Sequence, residues 1–353
     1  MNPLENEPPA HAGRAANPKG EPLAQAGRTV DALEREAQGV LPPAVFEYYR
    51  AGAGEGISRD EAAAAWRSWR FLPRIFQDVS AVSTATELFG TRLAAPVLAG
   101  PAALHTLAHP HGEVATARGV SEAGSLLVQS ARAGRSISSD RWWFQAYVLR
   151  DPSITEAQVR DAAARGARAI VLTADAPYVF RSAVPEAGSA APENRTPGQR
   201  QDPTLSAGAI RWLAGISGLP VLVKGVLRPE DAVACVEAGA AGIVVSNHGG
   251  RQLDRALASA YALGPVVEAV GGRVPVLVDG GIRDGADVLT ALALGATAVL
   301  IGRPVLWALA TGGAEGVRDL LRFYRDDLAR TMAQAGVPSL AQVDGGLIGR
   351  HTR

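Results

Sequence analysis

The chain has 353 residues, 47% of them hydrophobic and 20% charged, which excludes a disordered protein and supplies enough apolar surface for one large layered core. Its 35 basic and 35 acidic residues cancel, so no global field draws it to nucleic acid or an anionic membrane, and a small-molecule partner is expected. A single cysteine, Cys235, excludes an internal disulfide framework and any multi-cysteine metal site, and fits a reducing, cytoplasmic setting.

Residues 1–28 are polar and rich in Pro, Ala and Gly, without the apolar core of a signal peptide or anchor, and are predicted to form a disordered tail. Residues 29–94 are predicted to form a helical cap. Two short helices flank Leu41-Pro42-Pro43, and FLPRIF at 71–76 reads as an extended cover. From residue 95 to 353 a short apolar run, a polar corner and a helical stretch recur. The strand candidates are APVLAG (95–100), SLLVQS (125–130), WFQAYV (143–148), AIVLTAD (169–175), PVLVKGV (220–226), GIVVSNH (242–248), VPVLVDGG (274–281) and AVLIGRP (298–304). Stretches such as PEDAVACVEAGA and GADVLTALALGA carry apolar residues at three- and four-residue spacing and would cover those strands. Strands apolar nearly throughout suit a parallel sheet covered on both faces. Eight such units predict an α/β fold of the (β/α)8 TIM-barrel type. A doubly wound sheet is disfavoured because no Gly-x-Gly-x-x-Gly follows the first strand. The one long irregular connection, 176–206, is expected to be a lid.

In such barrels the loops after the strands form one mouth where catalytic groups converge. Tyr147, Asp175, Lys224, His248 and Asp279 fall at the ends of the third to seventh candidate strands. Lys224 is one of only two lysines among the 35 basic residues, so a compact ammonium is wanted there rather than a planar fork. Asp279-Gly280-Gly281-Ile282-Arg283 and Gly302-Arg303-Pro304 follow the seventh and eighth strands, where barrels hold a phosphate on backbone N–H groups and arginines. In Ser246-Asn247-His248-Gly249-Gly250-Arg251-Gln252-Leu253-Asp254, His248 can take a proton from a hydroxyl or carbon acid. Arg251 steadies the charge that develops, and a carboxylate such as Asp175 can hold the imidazolium. His105, His109 and His111 have metal-like spacing, but no acidic or cysteine partner completes a set, and no metal is expected.

SNHGGRQLD, VLVKGV, LVDGGIRDGADVLTALALGA, IGRP and the early VFEYYRAGA resemble the flavin-dependent α-hydroxy-acid oxidase and dehydrogenase family, over about Leu41 to Gln342. The resemblance implies an FMN cofactor and oxidation of a 2-hydroxy acid, or a related activated alcohol, to the 2-oxo product. Electrons would pass to O2 or another redox partner, and the assembly would be a homo-oligomer, a tetramer in the family. It implies that Lys224 faces N1 and O2 of the flavin, that Gln145, Thr173, Ser130 and Ser246 contact the cofactor, and that the Pro101, Ala102 and Ala103 backbone lies near N5. Asp279 would hold the ribityl chain, with Gly280, Gly281, Ile282, Arg283, Gly302 and Arg303 around the phosphate. His248 would be the base and Asp175 its partner, with Tyr48, Tyr147 and Arg251 on the substrate side.

Two positions depart from that pattern. The family arginine that binds the substrate carboxylate, seven residues after the position of Asp175, is here Ser182, next to Arg181. A family tryptophan in the pocket is here Arg132. Either Arg181 takes over the clamp, or an anionic group is gripped from the side of Arg132, or the substrate is a modified or carrier-bound molecule without a free carboxylate. A flavin barrel isomerase and a catalytically impaired flavoprotein are the competing functions. SNHGGRQLD argues against the first, and retention of Tyr48, Tyr147, Asp175, His248 and Arg251 against the second.

Overall fold

The computed structural model describes residues 29–178 and 196–350. Eight strands close into a parallel barrel in chain order: β1 (Val97–Ala99), β2 (Leu127–Ser130), β3 (Trp142–Ala146), β4 (Ile170–Thr173), β5 (Val221–Val226), β6 (Gly242–Val245), β7 (Val276–Asp279) and β8 (Ala298–Ile301). β8 pairs with β1 through Val299 to Val97 and Ile301 to Ala99. Each strand is shorter than its apolar run, because the backbone leaves the sheet as soon as it enters the mouth. Tyr147 therefore lies one residue past β3, Asp175 two past β4 and His248 three past β6, while Lys224 sits inside β5 rather than at its end.

The barrel interior is a plug of alternate residues. Leu98, Val128, Trp143, Val171, Leu222, Val244, Leu277 and Leu300 form one buried cluster with Leu88 and Leu93. The last two belong to a short hairpin, Thr86–Leu88 with Thr91–Leu93, that floors the barrel. A second, larger apolar cluster joins the outward strand residues to the surrounding helices. These are α4 (Gly112–Glu122), α5 (Pro152–Ala164), α6 (Gly208–Ser217), α7 (Pro229–Glu237), α8 (Ser259–Val270), α9 (Gly285–Ala293) and α10 (Arg303–Gln334). Their ends follow local chemistry: Asp151 caps α5 ahead of Pro152, Asp284 caps α9, and left-handed Gly218 and Gly271 end α6 and α8.

The cap contains α1 (Val30–Val40) and α2 (Pro43–Arg50), divided at the expected prolines, and a third helix, α3 (Ile57–Trp66), that the sequence reading did not separate. Of the expected cover at 71–76, only Phe71 is in a strand: Trp69–Phe71 pairs antiparallel with Ile348–Arg350 near the far end of the chain. The cap is anchored by Asp254, whose carboxylate accepts from the backbone N–H groups of Glu55, Gly56 and Ser58 at the start of α3. Among the described residues no helix is long and apolar enough to cross a membrane. The tail at 1–28, and Arg181 and Ser182 in the expected lid, lie outside the described residues.

Candidate active site

Side chains alternate along a strand, so the residue two positions beyond each plug residue also faces the barrel axis. Those positions are Gly100, Ser130, Gln145, Thr173, Lys224, Ser246, Asp279 and Gly302. An apolar floor thus turns into a polar ring within one strand step. Ser130 Oγ donates to Gln145 Oε1 at 3.0 Å, and Lys224 Nζ donates to Ser246 Oγ at 2.9 Å and meets Asp279 Oδ2 at 3.1 Å. Lys224 is only 3% exposed. Burial alone would lower its pKa, but Asp279 and Asp175 hold it above the ordinary lysine value.

Above this ring, His248 Nδ1 lies 3.0 Å from Asp175 Oδ1. Burial would raise the Asp175 carboxyl, yet His248 and then Lys224 hold it below the usual carboxylate range. An ionised carboxylate accepts, so Nδ1 carries the proton and Nε2 is left with its lone pair. The pairing depends on Gly225, which the sequence reading passed over. The register between β5 and β6 shifts between Lys224 and Val226, and Gly225 has φ +103°. A Cβ there would lie 2.5 Å from Asp175 Cβ and Cγ. His248 itself is held at φ +60°, with its N–H donated to Ser246 Oγ, a strained conformation of the kind that surrounding structure must impose.

Helix α2 ends at this mouth with unsatisfied carbonyls, and two arginines satisfy them. Arg251 Nη1 donates to the carbonyls of Tyr48, Tyr49 and Ala51; Arg303 donates to those of Tyr49, Ala51 and Gly249. Arg251 also lies over the Tyr48 ring, 5.4 Å from its centroid. Burial, then Arg251 and Arg283, push the Arg303 pKa down to about 9. An arginine keeps its proton at neutral pH, so the depression marks a buried cation crowded by neighbouring arginines. Arg283 is only loosely balanced, 3.7 Å from both Asp31 and Glu34 of α1.

Arg132 stands on a tightly built turn after β2. Its N–H donates to Ser130 Oγ and its carbonyl accepts from Leu104 N. The buried Glu113 takes the next two free N–H groups, of Gly134 and Arg135. The guanidinium lies over the Tyr147 ring, 4.6 Å from the centroid, and makes no ion pair or hydrogen bond among the described residues. The histidine set is divided by the same packing. His105 is buried against Thr116 and Glu113, whereas the His109 and His111 rings lie tilted to each other, 5.5 Å between centroids, just before α4.

One cavity of about 410 Å³ opens at the mouth. Among the described residues, all those expected from the sequence line it except Asp175 and Ser246, which stand behind His248 and Lys224. It is also lined by Arg59, Ala62 and Ala63 of α3, which no local motif marked. Gly281 admits that helix, since a Cβ there would lie 2.3 Å from the Ala62 carbonyl oxygen. Two buried polar atoms of cavity-lining residues lack a partner among the described residues: Gln145 Nε2, a donor, and Asp279 Oδ1, an acceptor. A ligand that fits offers an acceptor to the first, a hydroxyl to the second and an anion to the arginines.

The profile of the FMN-dependent dehydrogenase family matches residues 37–198 and 180–350. The chain is 39% identical to glycolate oxidase 3 of Oryza sativa subsp. indica over 344 residues, 89% of this chain and 94% of that one. It is 38% identical to an L-lactate oxidase of a Nostoc species over 346 residues, covering 88% and 95%. A crystal structure of mandelate oxidase with (S)-4-hydroxymandelic acid superposes with a TM-score of 0.84 at 38% identity, covering 92% of this chain and 98% of that one.

Proposed function

Because the chain belongs to the FMN-dependent dehydrogenase family and is an FMN-dependent oxidoreductase acting on CH–OH donors, we propose that His248 is the base in oxidation of a 2-hydroxy acid to its 2-oxo product. The observation that carries this reading is the His248–Asp175 pair, at 3.0 Å, over the polar ring of the barrel. Bound FMN supplies the two-electron acceptor for the hydrogen that leaves the substrate carbon.

The cavity suits that cofactor. Gln145 Nε2 would donate to a ring acceptor and Asp279 Oδ1 would take a ribityl hydroxyl. Arg283 and Arg303, with the backbone of Gly281 and Gly302, would take the phosphate. Lys224, held by Ser246, would supply fixed positive charge to the ring, and Ser130, Thr173 and the Pro101–Ala103 backbone would complete its seat. On the substrate side, His248 Nε2 accepts the departing proton while Asp175 orients the ring and compensates the imidazolium. Arg251, Tyr48 and Tyr147 face the substrate anion. Arg132 supplies a second cation from the opposite side of the cavity. Dioxygen or another redox partner is the electron acceptor in this reading. Exposed Leu72, Ile75 and Phe76 support a homo-oligomer.

The test is His248→Asn, chosen because asparagine tolerates the left-handed backbone at this position. Anaerobic flavin reduction by a 2-hydroxy acid should slow by about 10²–10⁴-fold with FMN still bound one per chain. Reduction near the parent rate would show that the base is another group.

A further inference from the structure

Resting on the reading of His248 as the base, we propose that the substrate is a 2-hydroxy acid carrying a second carboxylate at its far end, and that Arg132 receives it. The barrel is a ring of eight strands in chain order. His248 and Arg251 stand on the loop after β6, and Arg132 on the loop after β2. Four strand steps separate the two loops, so they face each other across the mouth.

The hydroxyl and carboxylate of a 2-hydroxy acid sit on adjacent carbons. With the hydroxyl at His248, that carboxylate falls to Arg251, three residues along the same loop. The opposite wall is then left to the other end of the substrate. That wall carries a built cation site of its own. The two arginines are arranged alike, each lying over a tyrosine ring: Arg251 over Tyr48 and Arg132 over Tyr147. Stacking leaves the edge of a guanidinium open to grip a carboxylate with two parallel hydrogen bonds. Arg251 has already given Nη1 to three carbonyls. Arg132 has given nothing to any described residue.

The site is also rigid, and rigidity argues for a ligand rather than a stray surface charge. The buried Glu113 carboxylate takes the Gly134 and Arg135 N–H groups, Gln129 Nε2 donates to the Arg135 carbonyl, and a Cβ at Gly134 would lie 2.4 Å from Thr106 Oγ1. A half-buried arginine held on such a turn, facing a cavity and without a counterion among the described residues, selects for an anion at that place. Two cation poles with the base beside one of them describe a diacid oxidised at one end.

The experiment uses the FMN-loaded enzyme and carbon-matched pairs: malate against 2-hydroxybutyrate, and 2-hydroxyglutarate against 2-hydroxyvalerate. Anaerobic flavin reduction is followed by stopped flow, and the apparent rate constant divided by the substrate dissociation constant is compared within each pair. In the parent, the diacid of at least one pair should lead by roughly 30-fold or more. In Arg132→Met that lead should collapse toward unity, through the dissociation constant of the diacid. Arg132→Lys, which keeps charge without the fork, should recover part of it. FMN content is measured in each variant, so that loss of the cofactor is not mistaken for loss of selectivity. Equal handling of diacid and monoacid by the parent would overturn the proposal, as would an equal loss on both in Arg132→Met, which would make Arg132 an anchor of the reacting carboxylate. Reduction by none of the four acids would overturn the reading of the base together with it.

Discussion

Replacing Asp175 by asparagine changes one charge at nearly constant shape. The carboxylate lies 3.0 Å from His248 Nδ1 and both side chains are largely buried, 16% and 20% exposed. When His248 accepts the proton from the substrate, an imidazolium forms against that carboxylate. At the effective dielectric constant of about 20 that suits partly buried pairs, two unit charges at this distance attract by about 5 kcal/mol. The asparagine amide retains a hydrogen bond to Nδ1 but none of this attraction. The barrier should therefore rise by about 3–5 kcal/mol, which slows flavin reduction by about 10²–10⁴-fold. The assay is anaerobic stopped-flow reduction at saturating substrate, expressed per bound FMN. The substrate dissociation constant should change little, because Asp175 stands behind the histidine. Reduction within a few-fold of the parent rate would refute the reasoning. A loss proportional to lost FMN would refute it as well, by making Asp175 a support of the cofactor site.

Gly225→Ala places a methyl group 2.5 Å from the Asp175 side chain at a φ of +103°. It should cost about 1–3 kcal/mol of stability and slow flavin reduction tenfold or more, checked by denaturant midpoint and stopped flow; a silent alanine would disprove the close approach. Asp287, buried in α9 beside Asp284, has its pKa raised to about 7. A raised folded-state pKa contributes stability that is complete below the unfolded value near 4 and is lost as pH rises through about 7. Asp287→Asn should therefore be more stable than the parent at pH 8 by about 1–4 kcal/mol, with the gap closing toward pH 4. Urea midpoints across that range check it, and a gap independent of pH would contradict it.

The barrel was legible because β1 to β8 are short apolar runs and all but β2, which passes through a turn directly to β3, are followed by a helix. Much of the polar ring was legible for the same reason: a polar residue at the end of a buried strand stands out. What escaped depends on contacts far apart in the chain. Gly225 looks like an ordinary glycine in VLVKGV until Asp175, fifty residues earlier, is brought over it. Arg59 lies in a helix with no marked motif and enters the cavity only because α3 rests on Gly281. Glu113 reads as a first-turn acidic residue of α4, although its carboxylate spans to the turn that bears Arg132. The floor hairpin escaped because its strands are three residues each, too short for an alternation to declare itself. Asp254 was visible as the last residue of SNHGGRQLD, but its role, fastening the cap, was not.

The capping of α2 by Arg251 and Arg303 has a consequence for the order in which the molecule can be made. The helix leaves the ribosome about 200 residues before Arg251 and about 250 before Arg303, the partners of its terminal carbonyls. Throughout synthesis of the barrel those carbonyls can face only water, and closing so long a loop is entropically costly and slow. The catalytic mouth is therefore assembled last, when β6 and β8 arrive and the waiting cap docks onto them. A nascent chain halted before residue 303 would hold most of a barrel but lack one of the two arginines that fasten the cap over its mouth.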